Sequence, residues 1–332
     1  MTVLSVDLAS RSWNDLGVVL LKRVRDEDAA NYATQAQGSK KDRHGQRQYV
    51  TAAERQAALM GMALQGTSDH SLTDEFSAAD LHAFPSPLRA GTIACEIIPM
   101  RDESSALEET HGILPEILAG RLNHLCTTRG VQVMLLDGPQ AWKSEQNGLD
   151  HARVSERQLN TAAKTGLPGM VKPVTYRAFA DFCVDVFDAL CRRGWKRLAT
   201  REYPVNPTDR VLVESYPHAA WKSLGLKPLP SKRRHKVSDL AECMAALKTV
   251  VPIAVNRPPN HDQLQAIVGG LAGLALTEQY HTPGKHTSRT PLQQNLGTRI
   301  VGQPPRREDG HWREGFIALP VAPEAVKIQW MD

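Results

Sequence analysis

Apolar residues along this chain fall into short runs separated by polar stretches. The first, Val3-Leu4-Ser5-Val6-Asp7-Leu8-Ala9, is β-rich and carries an acid near its end. Residues 10–14 are polar and a second run follows at residues 16–21, with Asp15-Leu16-Gly17 as turn residues. Together these predict a hairpin. Residues 22–91 then change character, with Lys, Arg, Gln, Ser and Asp dominant, as in Gln37-Gly38-Ser39-Lys40-Lys41-Asp42. Residues 51–64 have helical composition, but the rest predicts a long polar insertion after the first hairpin.

Order returns at residues 91–98, a predicted strand. A helix is expected over residues 107–129, with Leu114, Ile117, Leu118, Leu122 and Leu125 on one face and Pro115 starting or kinking it. Residues 131–139 form an almost wholly apolar run, the mark of a central buried strand. Residues 143–172 are polar and glycine-rich and predict a loop. An amphipathic helix over 176–194 is built on Phe179, Phe182, Val186, Phe187 and Leu190. A strand at 210–217, a short helix at 218–224, a helix to about residue 250 and a last helix at 261–279, capped by Asn260, complete the pattern. From residue 281 the chain is rich in Pro, Gly, Arg and Thr, with a closing strand at 316–319 inside a C-terminal extension. The order is that of an α/β domain with a mixed sheet over residues 1–280.

Composition narrows the class. The 332 residues carry 40 Lys+Arg against 36 Asp+Glu, a formal charge of +4, which permits a polyanionic partner without requiring one. Five cysteines without a Cys-x-x-Cys pair argue against a disulfide scaffold or zinc ribbon and favour a reducing, cytoplasmic setting. His281 and His286 lack partners at metal-ligand spacing, which disfavours zinc. No apolar run reaches the ~18 residues that cross a bilayer, so no membrane partner is expected.

The acids carry the chemistry. Asp7, Asp137 and Glu214 each end an apolar run that predicts a strand, and Asp262 opens the last helix. Ala266, Gly269 and Gly273 follow Asp262 on one helical stripe, small enough to let that helix approach the sheet closely. Taken singly, each acid reads as a turn former or a first-turn helix acid. Four gathered at one point would repel unless a divalent cation neutralised them, and Mg²⁺ and Mn²⁺ favour such oxygen ligands. Ions held this way can activate water against a phosphodiester.

Four motifs, Val6-Asp7-Leu8-Ala9, Leu136-Asp137-Gly138-Pro139, Val213-Glu214-Ser215-Tyr216-Pro217 and His261-Asp262-Gln263-Leu264-Gln265-Ala266, resemble in their order the ribonuclease H-like family known as domain of unknown function 429. The resemblance covers roughly residues 1–21 and 91–280, including Ser231-Lys232-Arg233 and the stretch holding Arg153 and Arg157. It implies a ribonuclease H-like fold whose first strand carries the lead aspartate, and divalent-metal hydrolysis of nucleic acid. The chain departs from the family in Leu8-Ala9-Ser10-Arg11-Ser12-Trp13, where a glycine-rich turn is common, and in Asp-Gln-Leu-Gln-Ala on the last helix, where Asp-Ala-Leu-Ala-Ala is more typical.

On this reading Asp7 bridges two Mg²⁺ or Mn²⁺ ions, Asp137 and Asp262 each complete one shell, and Glu214 binds through water or orients the attacking water. Arg153, Arg157, Lys232 and Arg233 are expected on the phosphates of a DNA or RNA partner. Trp142 and Trp221 are expected in the core rather than on bases, and His218 is a polar loop residue that could move protons near Glu214. Two rivals remain. A phosphotransferase of the sugar kinase and actin type needs a glycine-rich phosphate loop, whereas Gly269-Gly270-Leu271-Ala272-Gly273 falls mid-helix. An inactive nucleic-acid-binding module would not need all four acids.

Overall fold

The computed structural model describes residues 2–26, 28–29, 84, 88–100, 112–201, 209–281 and 296–322. The expected helices at 51–64 and over 107–111, and most of the expected insertion, lie outside these residues. Strands β1 (Thr2–Asp7) and β2 (Gly17–Arg23) form the expected hairpin, joined through a 3-10 turn at Trp13–Asp15. The excursion leaves and returns at one place: the Gly91 amide donates to the Val24 carbonyl at 2.8 Å. β3 (Ile93–Ile97) then pairs antiparallel with β2.

Helix α1 (Pro115–Thr128) begins at Pro115, which sits in the first turn where its missing N–H costs nothing. β4 (Val133–Asp137) follows as a central strand, parallel to β1. The stretch expected as a loop over 143–172 holds a short helix, α2 (Val154–Leu159), and a small hairpin of β5 (Lys164–Thr165) and β6 (Val171–Lys172). Their polar sequences hid them, because Glu156 and Thr165 are buried and held by hydrogen bonds to each other and to Arg153. Then come α3 (Arg177–Arg192), β7 (Lys196–Arg197), β8 (Val211–Ser215), α4 (Pro217–Ser223), α5 (Val237–Val250), β9 (Ile253–Val255) and α6 (His261–His281).

The C-terminal stretch holds the expected closing strand at 316–319 within a longer element. Residues of the supposed extension form a long hairpin, β10 (Gly297–Glu308) and β11 (His311–Val321), and β11 pairs parallel with β8. Gln303-Pro304-Pro305-Arg306 reads as loop, but β10 is an edge strand with a register shift there, where proline is tolerated. The sheet runs β10-β11-β8-β4-β1-β2-β3-β9, with β7 also on β8. Pairings are mostly parallel, as the expected α/β class requires, and the order is compatible with a ribonuclease H-like arrangement.

Helices cover both faces. Leu4, Val6, Leu20 and Leu136 meet α1 and α3 through Leu118, Leu122, Phe187 and Leu190. Val3, Leu21, Leu135 and Val213 meet α6, with α4 and α5 outside it. Glycines set the depth of α6 on the sheet. A Cβ at Gly273 would stand 2.4 Å from Leu135 Cδ1, at Gly270 2.5 Å from Leu21 Cδ1, and at Gly269 3.1 Å from Ser215 Oγ. This is the close approach that the small-residue stripe predicts.

Candidate metal centre

Asp7 ends β1 and Asp137 ends β4, and the parallel register sets them directly opposite each other. Strand neighbours in register send their side chains to one face, about 4.8 Å apart. That face is the one α6 covers, since Val3 and Leu135, four residues before Asp7 and two before Asp137 in the alternation, pack under its glycines. Gly138 makes the turn possible: with φ of 150° and a would-be Cβ 2.5 Å from Cys183 Sγ, it has neither the conformation nor the room for a side chain.

The third carboxylate arrives on α6. Asn260 and Gln263 close a reciprocal cap, each side chain accepting from the other's amide at 2.9 Å. The helix N-terminus rests on Gly17, where a Cβ would meet the Asp262 carbonyl oxygen at 2.2 Å. Gly17 is the register partner of Asp7. The backbone of Asp262 therefore lies over the strand next to Asp7, and its charge acts on Asp7.

Dense packing around Asp7 and the charges of Asp137 and Asp262 push its carboxyl well above the ordinary range, against the pull of Lys232. Packing and then the charge of Glu214 raise Asp137. The two carboxyls lie near enough for the charge of Asp137 to act on Asp7. Burial alone would raise Asp262 too, but hydrogen bonds from His261 and Lys232 bring it below its usual value. Lys232 Nζ donates to Asp262 Oδ2 at 2.6 Å and to Asp15 Oδ1 at 2.6 Å, while His261 Nδ1 lies 3.2 Å from Asp262 Oδ1. Both oxygens of Asp262 are thus engaged. Among the described residues, no three His, Cys, Asp or Glu side chains are disposed around one point as ion ligands. The donor set fits a hard cation in its chemistry, with two adjacent carboxyls and a third beside them; Asp262 is held by a lysine ammonium.

Glu214 corrects a second expectation. Strand alternation puts Ser215, not Glu214, in register with Asp137, so Glu214 leaves the opposite face. There it is only 4% exposed, and Arg153 grips it with Nη1 to Oε2 at 2.6 Å and Nη2 to Oε1 at 2.7 Å, joined by the Gln140 amide at 3.0 Å. Arg153, expected on phosphate, is 1% exposed and also donates to Glu156 and Thr165. Arg153 and Glu214 are engaged with each other, and Glu214 acts on Asp137 through its charge. His218 has no free Glu214 oxygen to serve and stands exposed beside Tyr216.

Arg157 and Arg233 are exposed, the first on α2 and the second next to Lys232 on the basic turn. Trp142 and Trp221 are core residues, as expected, and Trp221 Nε1 donates to Gln265 at 2.9 Å. Residues missed by sequence reasoning are Ser215, Asp15 and His261. Counting strand alternation back from each terminal acid would have exchanged Ser215 for Glu214, whereas Asp15 and His261 join the site only through tertiary contacts with Lys232 and Asp262. No helix among the described residues is long and apolar enough to cross a membrane. Comparison with protein-family models, curated proteins and solved structures gave no match.

Proposed function

We propose that this protein is a divalent-metal-dependent nuclease of ribonuclease H-like type that hydrolyses nucleic acid phosphodiesters. The observation that carries the reading is the register pairing of Asp7 with Asp137 beneath a helix whose close packing sets Asp262 beside them. The motif order shared with domain of unknown function 429 points the same way.

In this reading the carboxylate oxygens of Asp7 and Asp137 would hold Mg²⁺ or Mn²⁺, with Asp262 as the further ligand. The bound ion supplies charge neutralisation and Lewis acidity at the scissile phosphate. Ser215, in register with Asp137, lies buried beneath Gly269 of α6. Lys232 and Arg233, on the turn beside Asp262, are the cations placed to meet phosphate oxygens. Glu214 and Arg153 act from behind the sheet, holding the loop after β4 through Gln140. The α6 glycines lend the phosphotransferase alternative no phosphate loop, because sheet side chains pack against them.

Incubation of labelled DNA and RNA oligonucleotides with the full chain and MnCl₂ tests the proposal. Cleavage lost in Asp7→Asn and Asp137→Asn, both folded, supports it. Cleavage that survives in either variant, or that never exceeds background in wild type, overturns it.

A further inference from the structure

Lys232 occupies a position that needs explaining. It belongs to the turn Ser231-Lys232-Arg233-Arg234-His235-Lys236, yet its ammonium is turned inward and clamped between Asp15 and Asp262 at 2.6 Å each. The turn is pinned there, since His261 Nε2 lies 2.9 Å from the Pro230 carbonyl and His235 Nδ1 2.8 Å from the Lys232 carbonyl. The ammonium is close enough to the paired aspartates for its charge to favour ionised Asp7. It thus stands as a positive charge held by Asp15 and Asp262 and acting on Asp7. A divalent cation drawing on Asp262 meets oxygens already held by this ammonium and by His261, and the ammonium's positive charge opposes its approach.

We propose that Lys232 is a built-in cation that competes with the divalent ion for Asp262, so that loading the site frees Lys232 to contact a phosphate. The inference rests on the nuclease reading and adds to it an ordered exchange: metal in, lysine out. The exchange is one of ligands only, with no bond made or broken beyond the hydrogen bonds and coordination. Half of the Lys232 side chain is exposed, so it has a path outward once Asp262 is taken.

Calorimetric titration of the full chain with MnCl₂ tests this. Lys232→Met is expected to bind Mn²⁺ about tenfold more tightly than wild type, a coupling of ordinary size between two ligands for one group. Lys232→Arg keeps a competing cation and is expected near wild type, and Arg234→Met removes a neighbouring charge without changing the affinity. In wild-type protein, acetylation of Lys232 by an N-hydroxysuccinimide ester, followed by mass spectrometry, is expected to accelerate several-fold on Mn²⁺ saturation. Equal affinities for wild type and Lys232→Met, a gain matched by Arg234→Met, or an acetylation rate indifferent to Mn²⁺ overturns the inference while leaving the nuclease reading in place. If no Mn²⁺ binding sensitive to Asp7→Asn occurs in any of these proteins, the nuclease reading falls and takes the inference with it.

Discussion

Asp7 and Asp137 face each other across two adjacent parallel strands, and both carboxyls are raised above their ordinary value. Two carboxyls so placed repel each other when both ionise, because packing has removed much of the water that would screen them. The arrangement stores repulsion in the metal-free protein. Replacing Asp7 by Asn keeps the shape while removing one charge. Asp7→Asn is therefore expected to raise the melting temperature of the metal-free protein by a few degrees at pH 8, on the order of 1 kcal/mol. The same variant should show no further rise with MnCl₂, whereas wild type should. Differential scanning calorimetry with and without Mn²⁺ checks both; a variant melting below wild type without metal would contradict the stored repulsion.

The effect has a definite pH sign. Packing pushes Asp137 up to about 7 and Asp7 in the same direction, from an ordinary value of 3.8. A raised value in the folded chain means that folding favours the protonated form. That contribution is whole below about pH 4 and disappears as pH rises through the raised value. Other groups titrate as well, so the difference between wild type and Asp7→Asn isolates the pair. The stability gap in favour of the variant is expected to widen between pH 5 and pH 8 in urea melts without metal. A gap that narrows over this interval would refute the assignment.

How far the sequence disclosed this follows from the kind of interaction involved. β1, β4 and α3 were legible because apolar period and length report burial directly. The small-residue stripe on α6 was legible because helical spacing puts Ala266, Gly269 and Gly273 on one side whatever they pack against. Glu214 was misplaced by a single residue of strand alternation, since acids at the ends of two apolar runs look alike whichever face they leave. β10 was hidden by Pro304 and Pro305, and α2 by being held through Glu156 and Arg153. The clasp of Lys232 on Asp15 and Asp262 joins residues 217 and 30 positions apart, a distance over which local pattern carries no information.

The ion-paired cluster behind the sheet gives a stability prediction. Arg153 balances both Glu214 and Glu156 in a site where all three are 4% exposed or less. Arg153→Met leaves two buried acids without their cation and is expected to cost about 3–5 kcal/mol. Adding Glu214→Gln to that variant should recover part of the loss, because one of the stranded charges is removed. Guanidinium melts of the single and double variants decide. A loss below about 1 kcal/mol in Arg153→Met would mean that water replaces the guanidinium and that the cluster is not sealed.

Gly17 separates the packing argument from the charge argument. Its backbone is ordinary for a strand, so any L residue can adopt its φ and only space forbids a side chain. The obstructing atoms are the Asp262 carbonyl oxygen at 2.2 Å, its carbon at 2.4 Å and the Gln263 amide at 2.8 Å, all backbone and unable to swing aside. Gly17→Ala must therefore push the start of α6 off the sheet, at about 1–3 kcal/mol. Gly120 in α1 supplies the contrast: its nearest neighbour is the end of Arg193, 3.9 Å away, and alanine there should stabilise by about 0.5–1 kcal/mol through helix propensity. Because the displaced segment carries Asp262, Gly17→Ala should weaken Mn²⁺ binding as well as the fold, while Gly120→Ala leaves binding alone. Calorimetric titration of both variants separates the two consequences. A destabilised Gly17→Ala that binds Mn²⁺ as tightly as wild type would show that Asp262 is not a ligand, and would leave Asp7 and Asp137 to hold the ion without it.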